Sequence, residues 1–376
     1  AALPRAHIYL VPGFFGFAAF GDFAYFTHVR DHLAGWLERR GVDAAIHDAP
    51  TYPTKSLRHR ATKLAEIVAD TADGDGPIHL VGHSTGGLDA RLLASSHAAL
   101  GPAHAAVSPR VRTVVAVATP HHGSPVAGFF TGLMGQRLLR LLSLVTVYGL
   151  RFGRLPLPAL VFLAGAVSST GALRFANRAF DQIYHQVLQD FDEARRAQIE
   201  AYFDEARRDQ SLLVQLTPEG LDLLDVLIGT RPDVRQGSVI TRARPPALGR
   251  QLRVGLHPGD QAAYAVYRAL HAVASKLPPS WAPDLDEATW RTLTRAYGDR
   301  PGLEDNDAMV PTLSQVWGEV VHAAWADHLD VIGHFHAPDR EPLHVDWLHS
   351  GSGFGHADFE RLWDDVAAFA FPATSR

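Results

Sequence analysis

The chain has 376 residues and contains no cysteine. This absence excludes disulfide bonds, thiolate metal sites and a cysteine nucleophile, and it leaves the redox compartment open. Positive charge is not in excess either, because 35 lysines and arginines stand against 40 aspartates and glutamates, a formal net charge of −5. A chain with this balance lacks the basic surface that DNA or RNA binding requires, so we expect no nucleic-acid partner.

Long apolar runs are also missing. The apolar stretch 155–173, which has no charged residue, contains Pro156 and Pro158 and is shorter than the ~20 apolar residues that cross a bilayer. The amino-terminal residues show no charged segment followed by an apolar one, which is the pattern of a secretory signal. We therefore expect neither a transmembrane helix nor a signal peptide, and the cellular location stays undetermined.

The sequence does have a sustained alternation of short apolar runs and amphipathic segments. Hydrophobic residues make up 47% of the chain and charged residues 20%, which is typical of a globular protein with a large core. The predicted strands span residues 8–11, 42–46, 78–82, 111–118, 234–241 and 319–325. The predicted helices outside the central region span residues 29–40, 56–72, 85–94, 260–276, 286–297 and 357–369. This order predicts an α/β fold with a mostly parallel sheet flanked by helices.

The alternation is interrupted after the fourth predicted strand, where residues 126–208 have helical spacing and are unusually apolar. We interpret the chain as a core of residues 1–125 and 215–376 that is interrupted by a helical, apolar cap or lid at 126–214. A second, smaller helical insertion is predicted at 257–300. The alternative interpretation of the cap is a pair of helices buried in the core.

The strongest local signal is the segment Gly82-His83-Ser84-Thr85-Gly86-Gly87, which follows a predicted strand and begins a predicted helix. A serine in this setting sits on a tight turn that holds its hydroxyl above the edge of the sheet. Gly82 and Gly86 leave room where a side chain would collide with neighbouring backbone. The pattern predicts that Ser84 is a nucleophile, and the alternative is a purely structural Gly-Ser turn.

A serine hydroxyl needs an imidazole to remove its proton and a carboxylate to orient that imidazole. In this fold class the order along the chain is serine, acid, histidine. We predict Asp307 as the acid and His328 as the base, because both follow Ser84 in segments predicted as loops. Asp305 and Glu304 are the competing acids. The competing bases are His334, His336, His344, His349 and, in the best alternative position before the last helix, His356.

Attack on an ester carbonyl creates an oxyanion that two aimed N–H groups must stabilise. One predicted donor is the backbone of Thr85, the residue after the nucleophile. The other is the backbone of Phe14, in the glycine-containing loop after the first strand, although such a loop can also be a simple turn. This chemistry needs no metal. One histidine-rich segment could suggest a metal site, but its residues lack tight ligand spacing; they are His334, His336, Asp339 and His344.

Taken together, these segments resemble bacterial true lipases of the α/β-hydrolase superfamily. The resemblance rests on VPGFFGF at 11–17, FGDFAYF at 20–26, GHSTGGLDAR at 82–91, TPHHGSPVA at 119–127, LTPEG at 216–220, NDAMV at 306–310 and DHLD at 327–330. It implies a triad of Ser84, Asp307 and His328, with Phe14 and Thr85 as oxyanion donors. It also implies a mobile apolar lid over the site.

The chain departs from that family at several positions. Pro12 stands where the family usually has histidine, so we expect the oxyanion loop to be anchored differently. Many relatives bind a structural calcium near the catalytic histidine, and the resemblance puts Asp330 at one ligand position, whereas His334 stands where relatives offer an amide. We therefore expect no required cofactor and keep a structural calcium as the open alternative.

These observations predict a serine hydrolase that cleaves carboxylic esters with hydrophobic acyl groups through an acyl-enzyme, as a lipase or lipase-like esterase does. The expected partner is a hydrophobic ester, presented at a lipid or polymer interface. A polyester depolymerase or a lipid acyltransferase with the same triad is the first alternative. The alternative from another class is a non-catalytic lipid-binding protein on a hydrolase scaffold.

Overall fold

The structure is a computed structural model that describes residues 4–13, 25–52, 54–168, 176–217, 220–221, 224–225, 228–229, 231–340 and 344–373. Its strands are β1 (Ala6–Val11), β2 (Ala44–Asp48), β3 (Ile78–His83), β4 (Val111–Val117), β5 (Arg235–Arg242) and β6 (Glu319–Trp325). They form a sheet in the order β2-β1-β3-β4-β5-β6, and every neighbouring pair is parallel. The prediction of an α/β fold with a parallel sheet is confirmed.

Helices pack around this sheet. In the described ranges they are α1 (Thr27–Arg40), α2 (Leu57–Thr71), α3 (Thr85–Ala94), α4 (Pro102–Val107), α5 (Pro125–Phe130), α6 (Leu133–Phe152), α7 (Leu157–Ser168), α8 (Ala176–Leu188), α9 (Glu193–Arg208), α10 (Ser211–Gln215), α11 (Leu248–Gln251), α12 (Pro258–Ala274), α13 (Glu287–Tyr297) and α14 (His356–Ala370). The helices predicted outside the central region are all present. Their ends agree with the prediction to within two residues.

The helix ends follow from local sequence. The Ser56 side chain accepts a hydrogen bond from the backbone N–H of His59 and so caps the first turn of α2. Asp286 does the same for the N–H of Thr289 at the start of α13. Gly41 ends α1 with φ of 63°, a conformation that favours glycine. These polar and glycine positions explain why the helix limits were readable from the sequence.

The core lies on both faces of the sheet. On one face, Leu10 and Val117 of the strands belong to a buried cluster that also contains Leu141 of α6. On the other face, Tyr9 packs in a second cluster with Leu64 of α2. Because α6 lies in the chain between β4 and β5, the apolar residues of this connection are continuous with the main core.

The carboxyl ends of the parallel strands meet at one edge of the sheet, and this edge carries the segments that contain the predicted site residues. Ser84 follows β3 directly. The N–H of Ala243, after β5, donates to the carbonyl of Asn306 (2.8 Å), and the N–H of Ala326, after β6, donates to the carbonyl of Arg242 (3.1 Å). The segments around residues 306 and 327 are thereby held at the same edge as Ser84.

No helix in the described ranges is both long enough and apolar enough to cross a bilayer.

Candidate active site

Ser84 lies on the turn between β3 and α3 with φ of 55° and ψ of −129°. A positive φ is uncommon for a non-glycine residue and marks a turn that the surrounding structure holds in place. The N–H of Ser84 donates to the carbonyl of Val117 at the end of β4 (2.8 Å). The strained turn predicted for a nucleophile is therefore present, and a strand hydrogen bond anchors it.

The turn is tight because two glycines let backbones approach closely. A Cβ on Gly86 would lie 2.1 Å from the carbonyl oxygen of Val11. A Cβ on Gly13 would lie 2.7 Å from the Cβ of Ser84 and 3.2 Å from its hydroxyl oxygen. No L side chain fits at these distances. The end of β1 therefore packs directly against the Ser84 side chain.

Of the two predicted oxyanion donors, the structure describes only Thr85. Thr85 is the first residue of α3 and is buried. The first N–H groups of a helix have no partner within the helix, so the N–H of Thr85 belongs to the positive end of α3 beside Ser84. Phe14 lies outside the described residues.

Asp307 and His328 are in direct contact. The Nδ1–H of His328 donates to Oδ2 of Asp307 (2.8 Å), and both side chains are buried. Because Nδ1 carries the proton, Nε2 of His328 has a free lone pair and can accept one. This is the tautomer that a general base for a serine needs.

The Asp307 carboxylate is held by further donors. Its Oδ1 accepts from the backbone N–H of Met309 (3.0 Å) and of Val310 (2.7 Å). Its Oδ2 accepts from the hydroxyl of Thr241 at the end of β5 (2.7 Å). These bonds satisfy a buried charge and fix the orientation of the carboxylate toward His328. The role of Thr241 was missed by sequence reasoning, because it depends on a pairing of segments distant in the chain.

His83, next to Ser84, links the nucleophile turn to His328. Its Nε2–H donates to the backbone carbonyl of His328 (2.8 Å), and the two imidazole centroids are 4.8 Å apart. Since a carbonyl only accepts, Nδ1 of His83 is the acceptor and takes the hydroxyl hydrogen of Tyr25 (2.6 Å). The Tyr25 oxygen in turn accepts from the N–H of Gly13 (3.3 Å). One chain of hydrogen bonds thus connects the end of β1, the serine turn and the His328 backbone.

The electrostatics of this chain favour a neutral His83. Burial first, and then the neighbouring His328 imidazole, hold the pKa of His83 well below its ordinary value. A neutral ring can accept from Tyr25 on one nitrogen and donate on the other at the same time. His83 was not among the predicted site residues, although the segment that predicted Ser84 contains it.

The competing acids are placed elsewhere. Asp305 pairs with the Arg242 guanidinium (2.9 Å) and accepts from the N–H of Gly302 (2.7 Å). Glu304 is exposed. Of the three acids considered, Asp307 is therefore the one that the structure brings to His328.

The competing bases are also occupied elsewhere. His356, the best alternative, begins α14, and its Nε2 lies 3.0 Å from Glu360. His344 contacts the carbonyl of Gly333 through Nδ1 (2.7 Å), and His349 lies 3.6 Å from Asp260. His336 is exposed, whereas His334 is buried and its pKa falls to about 3 because of that burial.

A small apolar cavity of about 50 Å³ lies beside Ser84. Its walls include Thr85 at the start of α3, Leu139 of α6, Leu213 of α10 and Met309 next to Asp307. A typical ligand pocket measures ~300–1,000 Å³. The cavity is therefore smaller than a typical ligand pocket, and helices from the connection between β4 and β5 contribute to its walls.

A larger cavity of about 320 Å³ lies among helices of the connection between β4 and β5. Its walls are mainly apolar and aromatic and include Phe180 of α8 and Phe203 of α9, with Thr54 from the core. Leu139 is the residue that lines both this cavity and the one beside Ser84.

Three carboxylates gather after β6, of which two are buried and the third, that of Asp346, is half-buried. Asp327, Asp330 and Asp346 each offer an oxygen within 4.8 Å of the others. Burial raises the pKa of Asp327 to about 7 and that of Asp346 to about 6, and the pKa of Asp330 is also raised well above its ordinary value. Mutual repulsion adds to the effect of burial.

This carboxylate cluster fits a hard divalent cation. Calcium prefers carboxylate and carbonyl oxygens, and an ion among three such groups would offset their repulsion. Asp330 was predicted as a candidate ligand, whereas Asp346 was not, since it lies in no motif. His334 is not in the cluster. Within the described ranges no second group of three such ligands approaches this closely, so His334, His336, Asp339 and His344 do not assemble a site.

Comparison of the chain with protein-family models and with curated proteins finds no match. Among solved structures, it is similar to a metagenomic carboxyl esterase, with a TM-score of 0.52 and 16% identity over 98% of this chain and 76% of that one. It is also similar to EstA from Clostridium botulinum, with a TM-score of 0.51 and 16% identity over 98% of this chain and 88% of that one. At such low identity the likeness establishes only that the chain shares the fold of these two proteins.

Proposed function

We propose that this protein hydrolyses carboxylic esters with hydrophobic acyl groups, with Ser84 as nucleophile, His328 as base and Asp307 as its orienting acid. The observation that carries the proposal is the 2.8 Å bond between Nδ1 of His328 and Asp307, made by a histidine whose backbone is bonded to His83 beside Ser84. The solved carboxyl esterase that shares the fold supports the same reaction class.

In the first half of the reaction, Nε2 of His328 takes the proton of the Ser84 hydroxyl while the serine oxygen attacks the ester carbonyl carbon. The carbonyl oxygen becomes an oxyanion. Collapse of this intermediate breaks the bond to the alcohol oxygen, and the His328 imidazolium gives its proton to the leaving alkoxide. Asp307 keeps its charge throughout and stabilises the imidazolium.

In the second half, a water molecule attacks the acyl-enzyme, and His328 takes one of its protons. The Ser84–acyl bond breaks, the serine recovers its proton, and the carboxylic acid leaves. We assign the oxyanion to the backbone N–H groups of Thr85 and Phe14. The helix dipole of α3 adds to the stabilisation at the Thr85 side.

The substrate preference follows from the apolar cover of the site. Leu139 and Leu213 line the cavity beside Ser84 and come from helices that we assign to the cap at 126–214. A hydrophobic acyl chain would replace water against these side chains. Because the cavity measures only about 50 Å³, a long chain requires the cap to move, which suits a substrate presented at an interface.

We assign a structural calcium to Asp327, Asp330 and Asp346. When bound, the ion supplies positive charge that holds the loop of residues 327–330 to the segment at 346. The residues themselves contribute carboxylate oxygens, and Ser350 and Ser352 orient them through hydroxyl hydrogen bonds to Asp327 (2.6 Å) and Asp330 (2.7 Å). Since Asp327 precedes His328, the ion would stabilise the position of the base and take no part in bond making.

Covalent labelling by a fluorophosphonate tests the nucleophile. We expect the wild-type protein to be labelled and Ser84→Ala not to be, because the probe reacts with an activated serine. Ser275→Ala is the matched control, since the Ser275 hydroxyl bonds only locally to the carbonyl of Ala272 (2.9 Å) in α12, and it should label like wild type. Labelling in neither wild type nor control would favour a non-catalytic lipid-binding protein.

A series of p-nitrophenyl esters of increasing chain length then measures the acyl preference. We expect kcat/KM to rise with chain length as more apolar surface is buried. A preference for the acetate over all longer esters would contradict the hydrophobic acyl assignment and leave the serine mechanism intact.

A further inference from the structure

An exposed apolar segment follows β5 at residues 244–257. Leu248, Leu252 and Leu256 are 75%, 62% and 80% exposed. The other large hydrophobic side chains exposed in the described ranges are only Leu157, Val161 and Val214. Three of these six exposed hydrophobic side chains therefore lie within nine residues of one segment. A single exposed leucine is ordinary, whereas such a concentration indicates a binding surface.

The leucines recur at helical spacing. Leu248 begins α11, and helical hydrogen bonds continue past it, with the N–H of Leu252 donating to the carbonyl of Leu248 (3.1 Å) and the N–H of Val254 to that of Arg250 (3.2 Å). Residues four apart lie on the same side of a helical turn. Leu248 and Leu252 therefore project from the segment together.

The segment is well anchored, so the exposure of its leucines does not reflect a loose loop. The N–H of Ala247 donates to the Tyr264 hydroxyl (3.0 Å), and the Gln261 amide donates to the carbonyls of Gln251 (2.9 Å) and Gly255 (2.6 Å). Both Tyr264 and Gln261 belong to α12. The structure thus holds the leucines outward on a fixed support.

Positive charge surrounds these leucines. The segment contains Arg244, Arg250 and Arg253 and neither aspartate nor glutamate, in a chain whose net charge is −5. In the described part of the chain, none of the three guanidinium groups has an ion pair with a carboxylate. The nearest carboxylate along the chain, Asp260, faces His349 at 3.6 Å. Three arginines without acidic partners complement a surface that carries negative charge.

The segment lies at the same edge of the sheet as the proposed site. It follows the carboxyl end of β5, and the Arg250 side chain packs beside Gly351, where an added Cβ would lie 3.1 Å from Arg250 Cγ. Ser350, which precedes Gly351, donates a hydrogen bond to Asp327, the residue before His328 (2.6 Å). A surface bound by the leucines would therefore face the edge that carries His328.

We propose that residues 244–257 dock the protein on an anionic lipid surface. The leucine side chains enter the boundary between headgroups and acyl chains, and the arginines bind the phosphate groups of anionic phospholipids. Projecting leucines interleaved with arginines that have no carboxylate partner match the pattern of interfacial membrane anchors. This inference deepens the proposed function, since it states how a hydrophobic ester in a lipid phase is reached.

Vesicle co-sedimentation tests the docking surface. The protein carries Ser84→Ala so that no lipid is consumed, and the vesicles contain phosphatidylcholine alone or a 7:3 mixture with phosphatidylglycerol. We expect binding to the mixture to exceed binding to phosphatidylcholine at least about fivefold. Replacing Leu248, Leu252 and Leu256 by serine together should lower the partition coefficient on the mixture at least about tenfold.

Charge and matched controls are tested in the same assay. Arg253→Glu should lower binding to the mixture about tenfold or more, because it removes one positive charge and adds a negative one. Two controls should bind within about twofold of the parent: Val161→Ser, an exposed aliphatic residue of α7, and Arg295→Glu, an exposed arginine of α13. All altered side chains are exposed, so we expect the fold to persist, as circular dichroism would show.

The outcomes separate this proposal from the proposed function. Unchanged vesicle binding in the triple leucine variant, or equal binding to both lipid mixtures, would overturn the docking surface even if fluorophosphonate labels Ser84. Loss of labelling with intact, leucine-dependent vesicle binding would overturn the hydrolase and keep the docking surface. With both intact, the triple variant should hydrolyse soluble p-nitrophenyl acetate at the wild-type rate.

Discussion

At the residue scale, the site depends on a histidine held from two directions. Nδ1 of His328 is bonded to Asp307, and the backbone carbonyl of His328 accepts from His83. The first bond leaves Nε2 as the nitrogen with a free lone pair. The second bond fixes the position of the His328 backbone, from which the ring projects. Together they leave Nε2 as the only ring atom of His328 available for a serine proton.

Removing this imidazole tests the assignment of the base. His328→Ala should lower kcat/KM on p-nitrophenyl butyrate about 10³-fold or more, because the serine then loses its proton acceptor. Circular dichroism should show the fold retained. His356→Ala is the matched control: its ring contacts Glu360 within α14 and should leave the rate within about twofold. The reverse ranking of the two variants would move the base to His356.

At the element scale, the strand–turn–helix unit of β3, Ser84 and α3 is shaped by contact between backbones. Gly86, in the first turn of α3, lies against the end of β1 at a distance that admits no side chain. The same contact brings the residues after β1 to the serine. Local sequence explains the turn, but the packing of β1 beside it explains why glycine is required.

A pair of glycine variants separates these two effects. Gly86→Ala should destabilise the protein by several kcal/mol, since its Cβ would lie 2.1 Å from the Val11 carbonyl oxygen and one backbone must shift. Gly165→Ala in α7 meets nothing within 4 Å and should stabilise by about 0.5–1 kcal/mol, because alanine is the better helix former.

Urea denaturation monitored by circular dichroism measures both changes. Equal midpoints for Gly86→Ala and wild type would show that β1 does not pack against α3 in this way.

At the scale of the whole molecule, several histidines are buried without a carboxylate partner. Burial lowers the pKa of His79 to about 4, and it also lowers the pKa of His83, His121 and His334. Each of these rings binds a proton less readily in the folded protein than in the unfolded chain. A fall in pH therefore favours unfolding through all four histidines. The raised pKa values of the Asp327 cluster have the opposite effect, because these carboxylates bind protons more readily in the folded protein.

His79 offers a measurable case. Between pH 4 and 6.5 the ring is protonated in the unfolded chain and neutral in the folded protein, so the free energy of unfolding rises with pH over this window. The contribution is present above pH 6.5 and is lost as the pH falls toward about 4. A shift of this size corresponds to about 3 kcal/mol.

His79→Gln removes the titrating ring and keeps a side chain that can bond the Thr113 hydroxyl, 2.8 Å from the His79 Nδ1. Its urea unfolding free energy should therefore change less between pH 6.5 and pH 4 than that of the wild type. Parallel pH profiles for the two proteins would show that the ring is not buried in its neutral form.

The fold and most residues of the proposed site could be predicted from the sequence, because both predictions depend on local patterns. Strand and helix periods predicted the sheet, and the segment around Ser84 predicted its turn, since both follow from residues close together in the chain. The segments around Asp307 and His328 also carried short motifs. Thr241, Tyr25 and Asp346 carried none, because each acts only through a partner that is distant in sequence.

The sequence by itself therefore determined the parallel α/β order, the serine turn and the short list of acids and bases. Only the tertiary structure decided among Asp307, Asp305 and Glu304, because the choice depends on which carboxylate reaches the histidine. It alone also revealed the leucines and arginines of residues 244–257 as one exposed surface. The physical reason is the same in both cases: distances and exposure arise when remote segments pack, and no local period encodes them.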